Sequence, residues 1–162
     1  MSTGPPDPHI LGPGLTPTPF TADEIQRGCP VGRTIRLLVE AEGEKPFLRT
    51  NRFVACDEVG ATIESARLTI DGQPMGPAEA SRSTWLELQS HASFQAARTD
   101  IMPEAINIPL GVLDCLRYTV SDGSTIKSFW FAREAPGMPV KYIRHEAGRV
   151  VSSVTMIANT KP

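Results

Sequence analysis

Three consecutive aromatics, Phe129-Trp130-Phe131, constrain the fold of this chain more than any other feature of its sequence. They sit in residues 125–133 (TIKSFWFAR), a β-branched and aromatic run bounded by Ser121-Asp122-Gly123-Ser124 and Pro136-Gly137. Such a run reads as a strand between turns. Successive side chains of a strand point to opposite faces. Trp130 therefore faces one way and the two phenylalanines the other. An antiparallel sheet with one solvated face does not carry large apolar groups on both sides of a strand. Cover is expected on the second face, from a helix, a second layer or a bound ligand.

The surrounding sequence supplies the sheet. Residues 106–109, 112–120, 140–145 and 150–158 read as strands separated by the turn signals Leu110-Gly111, Asp122-Gly123, Pro136-Gly137 and Ala147-Gly148. Near the N-terminus, residues 34–42 (TIRLLVEAE) alternate, with Ile35, Leu37 and Val39 on one face. Residues 46–57 and 61–70 follow the same logic, with Asp71-Gly72 as the turn beyond them. The expected fold is mainly β (α+β), a curved antiparallel sheet or half-barrel of seven to nine strands wrapping one or two short helices. A closed lipocalin-like barrel and a two-sheet sandwich are the alternatives.

Two capping boxes mark the helices. Thr21 with Glu24, between Phe20 and Ile25, predicts a helix over 22–27, ended by Gly28 in a left-handed conformation. Thr84 with Glu87 predicts a second start, and Trp85, Leu88 and Ala92 then form one stripe. A helix running on to residue 92 would put Glu87 and His91 at i, i+4, a carboxylate beside an imidazole. These two are the candidate catalytic residues. A zinc helix needs a second histidine, and nucleophile-elbow and phosphate-loop motifs do not occur, so no metal or cofactor is expected.

Residues 1–19 hold six prolines and three glycines, with few apolar groups such as Ile10 and Leu11. They are expected to form a disordered, proline-rich leader to a single domain over 20–162. The net charge is −2, so bulk electrostatics give no case for nucleic acid. Residues 123–162 do carry six Lys or Arg against two acids, a local bias that a solvated face accommodates. No run is long and apolar enough to span a membrane. Met1 to Pro6 lacks a basic region followed by an apolar one, and Cys29, Cys56 and Cys115 do not form a paired motif. A cytoplasmic protein with reduced thiols is the expectation.

Residues 106–115 (INIPLGVLDC), the strand ending Trp130-Phe131-Ala132, and Pro136-Gly137-Met138-Pro139-Val140 together resemble a pattern in bacterial proteins of the lipoprotein-carrier-like half-barrel type. The likeness covers residues 104–158. It implies a curved antiparallel sheet wrapped around helices and able to hold an acyl chain, and it carries over no catalytic residue. The leading functional expectation is a protein that binds an apolar or amphipathic small molecule in the sheet's concavity, with Trp85, His91, Phe129 and Trp130 as candidate wall residues. The alternatives are an enzyme with an acid/base site centred on His91, and a protein-interaction module using the leader.

Overall fold

The computed structural model describes residues 6–162. Its nine strands are β1 (Thr34–Ala41), β2 (Phe47–Cys56), β3 (Gly60–Leu68), β4 (Glu79–Thr84), β5 (Thr99–Ile108), β6 (Gly111–Asp122), β7 (Thr125–Ala132), β8 (Lys141–Glu146) and β9 (Arg149–Thr160). They form one antiparallel sheet in the order β4-β3-β2-β1-β9-β8-β7-β6-β5. The sheet is open and curved, not a closed barrel. Its two meanders meet at the β1·β9 pair, which joins the two ends of the chain in mid-sheet.

Local chemistry explains the connections. Ile108 pairs with Gly111, Asp122 with Thr125 and Glu146 with Arg149, so each of these hairpins turns through two residues. Ala147 and Gly148 both have positive φ (50° and 79°), as the turn that matches strand twist requires. Gly60 is required for a different reason. A Cβ there would fall on the Ser83 carbonyl, where the start of β3 meets the end of β4.

Two strands depart from the sequence reading. β4 (EASRST) has no apolar alternation because it is an exposed edge, so period-two patterning could not reveal it. β5 starts at Thr99, well before residue 106, and carries Pro103 inside it. An edge strand tolerates a residue without an N–H, and β5 is the opposite edge.

Helices α1 (Ala22–Gly28) and α2 (Trp85–Ser90) both begin on complete capping boxes. They contact one another and lie over the same face of the sheet. Helices this short form only when tertiary packing holds them. Ile25 (3% exposed) and Trp85 (3% exposed) supply it, joined by Phe20, Ile35, Leu37, Phe53, Tyr118, Phe131 and Met156 in one core. Gly28 is not the left-handed terminator that the sequence suggests. It is the last helical residue, and a Cβ there would lie 2.9 Å from the Pro136 ring, so close packing is what demands glycine.

The leader does not stand apart from the fold. Thr16 N–H donates to Phe94 O (2.8 Å) and Thr18 N–H to His9 O (2.8 Å). Gln89 Nε2 donates to Pro8 O (2.8 Å) and Thr18 Oγ1 (2.9 Å), and the Tyr118 hydroxyl to Pro17 O (2.6 Å). Thr16 and Thr18 are buried. Apolar content is a poor guide to this segment because polar groups from α2 and β6 hold it. The first five leader residues lie outside the described part of the chain.

Candidate ligand-binding cavity

β7 lies three places from β1 in the sheet, yet side chains of β1, β2, β3 and β7 line one space. The sheet curls about it, and α1 and α2 close it from the other side. The cavity has a volume of about 500 Å³, a size that suits a small organic ligand. Its apolar wall includes Phe53, Ile63, Leu88, Phe129, Phe131 and Met138. Phe129 and Phe131 share a face, with Phe94 stacked on Phe129 at 5.0 Å between centroids and Tyr118 edge-on to Phe131 at 5.3 Å. Pairs of this kind add about 0.5–1.5 kcal/mol each beyond simple burial. The wall thus rests on a packed cluster of four rings, Phe94, Tyr118, Phe129 and Phe131.

The polar lining is unusual in sign. It consists of Arg33, Arg49, Asn51, Ser65 and His91, with no Asp or Glu. Arg33 precedes β1 and is fully buried. Its Nε donates to Asn159 Oδ1 (3.0 Å), and NH1 donates to Gly28 O (3.2 Å), Cys29 Sγ (2.9 Å) and Pro136 O (2.6 Å). One side chain thus ties the end of α1, the β7–β8 loop and β9 together. Gly137, at φ +127°, leaves room for it: a Cβ there would sit 3.2 Å from NH1. Arg33 NH2 has no partner. On β2, Arg49 Nε is also buried without a partner. Burial first, and the neighbouring Arg67 second, push the Arg49 pKa down. Asn51 and Ser65 satisfy each other across β2 and β3, with Ser65 Oγ donating to Asn51 Oδ1 (2.8 Å).

Of the wall residues expected from the sequence, His91 and Phe129 line the cavity, while Trp85 and Trp130 do not. Trp85 is buried in the core and donates from Nε1 to Asp57 O (2.8 Å). Trp130 lies on the opposite face of β7. There its Nε1 donates to Glu104 Oε2 (2.7 Å), Arg117 NH1 pairs with the same oxygen (3.0 Å), and Lys141 Nζ lies 5.9 Å from the ring. The cover that β7 requires on this face is a set of long polar side chains rather than a second layer.

Glu87 and His91 are not brought together as a pair. α2 ends at Ser90, and His91 is its C-cap. Glu87 Oε1 accepts from Thr84 N–H (3.2 Å) as the reciprocal half of the capping box. The residue that starts the helix thus occupies the carboxylate that an acid/base reading assigned to the imidazole. Among the described residues His91 forms no side-chain hydrogen bond or ion pair, and it is exposed while contributing to the cavity lining. The thiols are no better placed for nucleophilic chemistry: burial is the first cause raising the pKa of Cys29, Cys56 and Cys115 alike. Arg33 and Arg49 were not singled out from the sequence. Arg49 is one of several charges on the alternating strands, and no spacing rule shows that its acid partner is missing.

Among the described residues no group of three or more His, Cys, Asp or Glu is placed to hold a metal, and no helix is long and apolar enough to cross a membrane. No protein-family model matches the chain, and no curated protein matches it. Ten chains of solved structures do match. One is the crystal structure of MucB, with a TM-score of 0.56 at 10% identity, aligned over 84% of this chain. The chain spans 55% of MucB's length. At that identity the likeness is one of fold, and it supports the half-barrel resemblance drawn from the C-terminal strands.

Proposed function

We propose that this protein binds an apolar or amphipathic small molecule in the concavity of its sheet. The observation that carries the reading is the cavity of about 500 Å³ between the two helices and the curled sheet, walled by Phe53, Phe129 and Phe131. A concave, mostly apolar site with a few convergent polar groups is the usual form of a small-molecule pocket. The fold likeness to MucB is compatible with a binding role and assigns no ligand. Three unpaired thiols suit a reducing compartment, and a cytoplasmic location is proposed on that ground.

Native mass spectrometry of the purified full chain, together with titration of a neutral apolar fluorophore such as N-phenyl-1-naphthylamine, tests the binding role. The expected result is a saturable site of one molecule per chain that Ile63→Trp, which fills the cavity, abolishes. A wild-type protein that neither retains a small molecule nor binds the fluorophore overturns the reading.

A further inference from the structure

The cavity's charges narrow its ligand, an inference that rests on reading the cavity as a binding site. Six arginines of this protein, Arg82, Arg98, Arg117, Arg133, Arg144 and Arg149, each pair with a carboxylate. All six lie outside the cavity lining. Among the described residues Arg27, Arg36, Arg52 and Arg67 have no carboxylate partner either, but all four are exposed to water. The two arginines that line the cavity pair with none while Arg33 is fully buried and Arg49 is half-buried, with its Nε enclosed and unpartnered. Their other titratable neighbours in the lining are Cys29 and His91, which supply no negative charge here. Arg49 also reaches an adjoining space lined by Arg67 and a single acid, Glu79 of edge strand β4. Arg67 adds a second positive charge while stacking over Phe47 at 5.0 Å. A buried cation without a counter-charge is costly. Here the uncompensated cations share one lining with an apolar wall and with the exposed His91.

We infer that the ligand is an amphiphile with one anionic head, a carboxylate or a phosphate monoester, whose head group pairs with Arg49 while its tail lies among Phe53, Ile63, Phe129 and Phe131. Arg33, held by four acceptors at the α1 end, adds positive field and is not the contact. Arg49 is half-buried on β2 and keeps its guanidinium free of internal ion pairs, so it can form the forked contact that carboxylate and phosphate oxygens favour.

The test is isothermal titration of the full chain with dodecanoate, dodecyl phosphate, dodecanol and inorganic phosphate, each below its aggregation limit. Both anionic amphiphiles should bind at least about tenfold more tightly than dodecanol, as a charge-assisted contact implies. Inorganic phosphate should bind far more weakly than dodecyl phosphate. Arg49→Met should bring the anions down to the level of dodecanol, and Arg49→Lys should keep a preference for them. Equal affinity for dodecanoate and dodecanol overturns the anionic head while leaving the apolar site standing. Inorganic phosphate binding as tightly as dodecyl phosphate overturns the seated tail. Binding of none of the four overturns both this inference and the cavity reading beneath it.

Discussion

The two faces of β7 handle charge in opposite ways. On the open face Trp130, Arg117 and Lys141 gather around Glu104, whose carboxylate accepts from both the indole and the guanidinium, while Arg117 Nε has no partner. On the helix-covered face neutral polar groups are satisfied: the Tyr118 hydroxyl reaches Pro17 O, and Ser65 and Asn51 reach each other. The two cations that line the cavity, Arg33 and Arg49, have no carboxylate partner. The difference teaches that pairing, more than burial, separates a finished surface from one that awaits a partner. Water stabilises an unpaired charge on an open face, but little of it reaches a buried one.

The sharpest way to strain this comparison is to delete an aromatic from each face. Phe131→Ala should cost about 3–5 kcal/mol in urea unfolding, because it removes a side chain that is 3% exposed and packed on Tyr118. Trp130→Ala should cost clearly less despite its larger ring, since one side of that indole is already covered only by flexible chains. Equal losses would mean that the open face is as much a core as the covered one.

Alkaline titration sharpens the claim that the covered face satisfies its neutral groups. Burial pushes the Tyr118 phenol up to about 12. Below about pH 10 the group is protonated in both folded and unfolded chains and contributes no pH dependence. Between about pH 10 and pH 12 the unfolded chain ionises while the folded protein does not, so stability should fall as pH rises, by roughly 2 kcal/mol. Tyr118→Phe should flatten that decline in urea melts run across the window. It should also loosen residues 8–18, seen as faster proteolysis of the leader, because it removes the hydroxyl that donates to Pro17 O.

Supplying the missing counter-charge would break the comparison directly. Asn51→Asp places a carboxylate in the lining two residues from Arg49 on the same strand. Dodecanoate affinity measured by calorimetry should fall about tenfold, as expected when an internal anion replaces an external one. The smallest effect is expected on the other side. Glu104→Ala leaves Arg117 and Trp130 without their acceptor, but the pair is partly exposed, and the loss of stability in thermal melts should stay near 1 kcal/mol or below. Ligand affinity should not change.

Much of this architecture was legible in the chain because local signals agreed with one another. The two capping boxes, the Asp-Gly turns and the alternation of β1, β2 and β3 each rest on contacts within a few residues. Edge strands β4 and β5 were missed or shortened because an exposed edge has no buried face to impose a pattern. The His91–Glu87 pair was drawn from helical spacing, and it dissolved once α2 proved too short and Glu87 was taken up by the cap.

The aromatic triplet of β7 determined by itself that the strand needs cover on both faces, since alternation along a strand is a local property. Which cover each face receives was decided only by tertiary structure. Glu104, Arg117 and Lys141 reach Trp130 from three different strands. The space beside Phe129 and Phe131 exists because strands distant in the sheet curl toward one another under two helices. The absence of a carboxylate beside Arg33 and Arg49 is a fact about neighbours in three dimensions, and a sequence displays only neighbours along the chain.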